Sequence, residues 1–290
     1  MITKRKGLIL AGGLGTRLFP LTRGISKQLL PVFDKPMIYY SLSVLMLAGI
    51  REIAIITTPQ DQNLFKQLLG NGNQWGIKLT YIKQKKPRGI AEVFILAENF
   101  LSGSPSLLIL GDNIFFGHGL VEILKKNINT NFGSVIFTYN VNNPSRYGVV
   151  DYDKKLKIRK FIEKPKKPKS NYAITGLYFF DGSVSKKAKK IKPSKRGELE
   201  IISLLNIYLA EKNISVEKLG RGYAWLDVGT HNSLLDAGNF IKTIQDRQGQ
   251  QIGCLEEIAF NNKWINKNNL KKLLKIYNKN YYTDYLKKLL

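Results

Sequence analysis

Cysteine and histidine are almost missing from this chain, whose 290 residues include one Cys and two His. Cys254 can form no internal disulfide, and two histidines leave little scope for a thiolate or imidazole metal site. Any metal should therefore be held by oxygen. Long apolar runs are missing too: the stretch Met37–Ile50 is interrupted by Tyr, Ser and Gly and falls short of the ~20 residues that span a bilayer. The opening Met1-Ile-Thr-Lys-Arg-Lys6 leads into an apolar run too short for a signal-peptide core, with no cleavage-like site. A cytoplasmic protein without a membrane partner is expected. Acidic residues are scarce, 21 against 46 Lys and Arg, for a formal charge of +25. Such a field suits nucleic acid, an anionic membrane or phosphorylated small molecules. The lysines are spread from Lys4 to Lys288, often beside Asn and Ile. All three have A/T-rich codons, so a compositional bias suffices to explain the charge, and no nucleic-acid recognition module is legible.

What is present is a chain that is 43% hydrophobic, enough to bury a substantial core. Lys6–Ala11, Glu52–Thr57, Lys78–Lys83, Ser106–Leu110 and Ser134–Tyr139 read as strands. Between them Pro36–Ala48, Asp61–Leu69, Ile90–Leu101 and Leu120–Asn127 read as helices. Such alternation predicts an α/β fold with a mainly parallel sheet covered on both faces, because parallel neighbours need crossover connections. Ligands of open α/β sheets bind beyond the carboxyl ends of the strands, which puts Gly12–Arg17 and Gly111–Asn113 on one rim. Tyr147–Asp153, Lys157–Ile162 and Tyr172–Phe180 then form a β-rich insertion, and Ser215–Gly220 is a candidate further strand. Helical patterns return at Glu198–Lys212, Asn232–Gln248 and most of Glu256–Leu290. Without repeat or linker, residues 1–290 read as one domain, divided into an α/β part (1–140), a β-rich part (141–230) and a helical C-terminal part (231–290).

Leu8-Ile-Leu-Ala-Gly-Gly-Leu-Gly-Thr-Arg-Leu18 is a strand feeding a loop with three glycines, which let backbone N–H groups approach a phosphate closely. Arg17 adds a cationic fork and Lys27 a further charge downstream. The Gly-Lys-Ser/Thr ending of a Walker A loop is absent, and Leu18 stands where a dinucleotide fingerprint needs its third glycine. Asp112 follows an apolar strand, and Asp227 lies in Trp225-Leu-Asp-Val-Gly-Thr230. Two strand-end carboxylates can share one Mg²⁺, although an Asp after a strand can equally be a helix N-cap.

The loop together with Ser26-Lys-Gln-Leu-Leu-Pro-Val-Phe-Asp-Lys-Pro-Met-Ile-Tyr-Tyr40 resembles the signature of the sugar-phosphate nucleotidyltransferases, and the likeness runs over nearly the whole chain. It implies a nucleotide-diphospho-sugar transferase fold, a homotetramer, and Mg²⁺-dependent transfer of a nucleotidyl group from dTTP to glucose 1-phosphate. UTP in place of dTTP, and a catalytically silent nucleotide-sugar-binding relative, are the alternatives. By the resemblance, Arg17, Lys27, Asp112, Lys164 and Asp227 are catalytic, the two Asp holding the metal. Leu10, Gly12, Gly13, Gly15, Thr16, Arg17, Gln28, Gln84, Pro87, Gly89 and Asp112 bind nucleotide. Asn113, Tyr147, Gly148, Glu163, Lys164, Ile174, Thr175 and Tyr178 bind the sugar phosphate. Gln84 offers a donor and an acceptor, matching the imide edge of thymine or uracil. Three departures stand out: Arg88 where the family usually has Asp, Ile202-Ser-Leu204 where Thr-Asp-Val is common, and Asn261 where relatives often carry a regulatory arginine.

Overall fold

The computed structural model describes residues 4–155 and 157–290. Strand β1 (Lys6–Ala11) is followed by the short pair β2 (Pro31–Val32) and β3 (Lys35–Pro36), then helix α1 (Met37–Leu47) and β4 (Glu52–Thr57). The chain continues through α2 (Gln62–Leu69), β5 (Lys78–Lys83), α3 (Glu92–Leu96), α4 (Glu98–Leu101), β6 (Ser106–Leu110), β7 (Asn113–Gly117), α5 (Leu120–Ile128) and β8 (Ser134–Asn140). Next come β9 (Gly148–Tyr152), β10 (Ile158–Glu163), β11 (Tyr172–Phe180), α6 (Val184–Ala188), α7 (Ile201–Ala210), β12 (Ile214–Leu219) and β13 (Tyr223–Asp227). Helices α8 (His231–Gln248), α9 (Leu255–Asn261), α10 (Lys267–Ile276) and α11 (Tyr281–Lys287) close the chain. None of the described helices is long and apolar enough to cross a membrane.

Nine strands form one sheet in the order β10-β9-β11-β6-β1-β4-β5, with β8 on the other edge of β11 and β12 beyond it. The pairs β6–β1, β1–β4 and β4–β5 are parallel, as the alternating pattern predicts. β11 runs antiparallel to both β6 and β8, and β9–β10 is an antiparallel pair. Successive residues of a strand face opposite sides, so one core takes Ile9, Ile53, Ile55, Leu107 and Ile109 beneath α1, α2, α5 and α9. The other takes Leu8, Ala54, Ile56 and Leu108 beneath α3, α4, α6 and α7. At ~25 cal/mol per Å² of buried apolar surface, these two layers supply most of the drive to fold.

Two helices differ from the sequence pattern. Ile90–Leu101 divides into α3 and α4 at Ala97. The helix expected from Glu198 starts only at Ile201, because Leu199 pairs as extended backbone with a neighbouring loop: its N–H donates to Arg88 O at 2.7 Å, and its carbonyl accepts from Ala91 N at 3.0 Å. This contact ties the segment before α7 to the loop that follows β5.

Candidate active site

Leu10 lies level with Leu110 in the parallel ladder of β1 and β6, and Gly111 N–H donates to Leu10 O at 2.9 Å. The loops that leave these strands therefore start side by side, and the glycine loop meets Asp112 as expected. A second, two-stranded sheet completes the junction: β13 runs antiparallel to β7 with Asp227 opposite Asn113. Val228 N–H donates to Asp112 O at 2.9 Å, clamping the two aspartate segments together. Arg17 reaches the same point from the glycine loop. A Cβ on Gly229 would lie 2.6 Å from its guanidinium, so a side chain there would displace it.

A cavity of about 600 Å³ opens here, lined by Thr16 and Arg17, by Asp112 and Asn113, by Asp227, and by Tyr147, Gly148, Glu163, Lys164, Ile174 and Tyr178. Lys27 reaches the same group, with Nζ bonded to Asp112 Oδ2. The other oxygen, Oδ1, accepts from Asn113 Nδ2 at 3.0 Å. Asn113 is itself fixed, its Oδ1 accepting from Trp225 Nε1 at 2.6 Å and from Gly176 N–H at 3.1 Å. Burial, and then the charge of Asp112, raise the pKa of the Asp227 carboxyl, while Arg17, Lys27 and Arg146 pull it back. The hydroxyl of Tyr147 is raised by burial and next by Asp227. On the far wall Glu163 lies 3.4 Å from Lys164 Nζ and 3.4 Å from Arg196. Lys164 has φ 40°, a left-handed backbone that is uncommon in non-glycine residues.

The remaining residues expected to bind nucleotide lie around the glycine loop and in the loop after β5. Gln84 is buried against Gly12, where a Cβ would overlap its Oε1; only glycine lets the side chain lie there. The Lys27 side chain packs beside Gly13 and Gly15. Gln28 is buried below the loop, its Oε1 accepting from Ser26 Oγ at 2.7 Å and its Cγ packing against Gly111. Pro87 is exposed, and Gly89 fits closely over the Leu199 backbone. Thr175 behaves differently from its neighbours. The β8–β11 register shifts between Ile174 and Tyr178, Thr175 is fully buried, and its hydroxyl donates to Phe137 O at 3.0 Å. Gly176 lines the cavity in its stead.

The residues matched by a family model described as nucleotidyl transferase are 6–244. The chain belongs to the nucleotidyl transferase family. Within that family it is similar to the glucose-1-phosphate thymidylyltransferase of Xanthomonas campestris pv. campestris (strain B100), 56% identical over 285 residues, 98% of this chain and 97% of that one. The enzyme of the same name from Neisseria meningitidis serogroup A is 51% identical over 98% of this chain and 99% of its own. A crystal structure from Bacillus anthracis, in complex with sucrose, superposes with a TM-score of 0.75 at 39% identity, covering 81% of this chain and 94% of that one. UDP-glucose pyrophosphorylase in complex with UDP-glucose shares the fold, with a TM-score of 0.73 at 24% identity over 84% and 100% of the two chains.

Several residues of this nucleotidyltransferase's cleft lie outside the set of site residues expected from the sequence. Arg146, Trp225 and Glu198 line the cavity, and Glu92 sits buried behind Gln84. Trp225 had a usable signal: it stands two residues before Asp227 on one strand, and alternate residues share a face. Arg88 pairs with Glu92, a partner four residues away on a segment that reads from sequence as ordinary helix. Ile202 lines the cavity and packs on Gly148, where a Cβ would come within 2.7 Å of its Cδ1. The departure at that position therefore touches the cavity wall directly.

Proposed function

We propose that this chain transfers a thymidylyl group from dTTP to glucose 1-phosphate, giving dTDP-glucose and pyrophosphate, with Mg²⁺ held by Asp112 and Asp227. The observation that carries the reading is the convergence of Arg17, Lys27, Lys164, Asp112 and Asp227 on one cleft. The donor set fits a hard divalent cation. It consists of carboxylate oxygens only, and burial, then the charge of Asp112, raise the pKa of the Asp227 carboxyl. The Asp227 carboxylate accepts no side-chain hydrogen bond among the described residues. When bound, Mg²⁺ supplies charge neutralisation at the phosphate oxygens.

The rest of the chemistry belongs to the chain. A phosphate oxygen of glucose 1-phosphate is already ionised at neutral pH, so no side chain has to remove a proton and no protein nucleophile is required. That oxygen attacks the α-phosphorus in line, a new P–O bond forms, and the bond to the β-phosphate oxygen breaks to release pyrophosphate. Catalysis then consists of positioning and of neutralising charge. Arg17 and Lys27 neutralise the triphosphate and the departing pyrophosphate, and Lys164 holds the attacking phosphate. Glu163, Tyr147 and the backbone at Gly148 serve the sugar hydroxyls, while Gln84 reads the base. The test is pyrophosphate release from purified protein with Mg²⁺ and glucose 1-phosphate, comparing dTTP with UTP. Fast release with dTTP is expected. A preference for UTP changes the base assignment, and no release with any triphosphate and sugar phosphate overturns the reading.

A further inference from the structure

Gln84 and Glu92 are both almost inaccessible, at 4% and 3% exposure, and their side chains meet. Gln84 Nε2 donates to Glu92 Oε2 at 2.8 Å. The second oxygen of Glu92 accepts from Arg88, at 2.7 Å from Nε and 2.6 Å from Nη2. The chemistry of this trio allows one arrangement of the amide. An ionised carboxylate only accepts and a guanidinium only donates, so Gln84 has to turn its NH₂ towards Glu92. Its carbonyl oxygen then points the other way, and it lies against Gly12 on the glycine loop. A glutamine without such a partner has no fixed orientation, because its two ends are nearly alike in shape and exchange by rotation about a broad terminal torsion.

We propose that the Glu92–Arg88 pair is a positioning device that locks the Gln84 amide with its acceptor facing the nucleotide loop, selecting bases that offer an imide N–H over those that present a ring-nitrogen acceptor. The proposal rests on the reading of Gln84 as the base-contacting residue. Thymine and uracil carry a donor N–H between two carbonyls, which a fixed acceptor welcomes. Cytosine carries an unprotonated ring nitrogen at the same place, and two acceptors left facing each other in a buried site are costly. Arg88 lies largely towards solvent on its other side, and it compensates the buried charge of Glu92, which unpaired would be strongly unfavourable.

The experiment compares kcat/KM for dTTP, UTP and dCTP in wild type, Glu92→Gln, Gln84→Ala and the double variant, with melting curves to confirm folding. Glu92→Gln keeps the shape of the side chain, yet its amide can donate as well as accept, so both orientations of Gln84 become available. The expected result is a loss of about tenfold in the dTTP-over-dCTP preference, carried by KM for dTTP with kcat little changed. The dTTP-to-UTP ratio should stay put, since both bases share the imide. In the Gln84→Ala background, Glu92→Gln should change the dTTP-over-dCTP preference no further. An unchanged dTTP-to-dCTP ratio, or an equal loss in that background, overturns the proposal. Should Glu92→Gln fail to fold, Arg88→Gln at the exposed end of the pair decides by the same ratio, with a smaller shift in the same direction expected. Wild-type protein that uses no triphosphate removes the transferase reading and this proposal together, whereas a working enzyme whose base preference ignores Glu92 removes only the latter.

Discussion

Two groups of buried carboxylates in this chain are treated in contrary ways. Glu256, at 1% exposure, is surrounded by donors from the protein itself. Oε1 accepts from Trp75 Nε1 at 3.0 Å and from Tyr277 OH at 2.8 Å, and Oε2 accepts from Tyr282 OH, with Cys254 Sγ 3.9 Å away. Burial, with Glu256 second, pushes the Cys254 thiol up to about 12, so the thiol stays a neutral donor in this corner. Asp227 instead faces the charge of Asp112, whose own oxygens are taken by Lys27 and Asn113, and no donor reaches the Asp227 carboxylate among the described residues. A carboxylate whose needs are met from within serves to hold helices together. A carboxylate left without a donor beside a like charge, as Asp227 is, adds nothing to helix packing, and stability is conceded there.

Breaking the second arrangement should cost activity and little else. Asp112→Asn is expected to lower pyrophosphate release by at least about 10³-fold, while calorimetric stability stays within about 1 kcal/mol, because the substitution also relieves repulsion with Asp227. Chelating divalent cations should have the same effect on wild-type protein and be reversed by added Mg²⁺, leaving the melting temperature of the free protein unchanged. Breaking the first arrangement should do the converse. Glu256→Ala leaves the donors of Trp75, Tyr277 and Tyr282 without their acceptor and should cost about 2–4 kcal/mol in denaturant unfolding, with kcat of the folded protein retained. On the sugar side, Lys164→Met should remove a charged contact worth about 2 kcal/mol, roughly 30-fold in kcat/KM. That loss should appear when glucose 1-phosphate is varied and be slight in KM for dTTP. The smallest effect is expected of Trp75→Phe, which deletes one of the donors to Glu256 for about 1 kcal/mol and leaves steady-state rates alone. Loss of activity in Glu256→Ala at full stability would erase the distinction between the two groups.

The parallel strands were readable because each is a short apolar run between turn residues, and α2 and α5 show the 3.6 period, whereas α1 is apolar nearly all round. The glycine-rich turn that leaves β1 was readable, and so was Asp112 as a strand-end carboxylate. Thr175 and Gly176 show where such reading stops. In the sequence they are neighbours in one apolar strand, and only the register shift against β8 turns the threonine hydroxyl to Phe137 O and the glycine to Asn113. Glu92 was hidden for a similar reason: in an amphipathic segment a glutamate reads as a solvated face, and its burial depends on Gln84 and Arg88 folding over it.

By itself the sequence determined the local propensities, the alternation that makes a sheet with two covered faces, and the residue types able to carry phosphate chemistry. These are set by side-chain shape and by spacing within a few turns of chain. Only the tertiary structure decided that Asp227 stands beside Asp112, through the pairing of β13 with β7, and that Asn113 is held by Trp225 and Gly176. Contacts of that kind join segments far apart along the chain, and their formation depends on the packing of every layer between them rather than on any local preference.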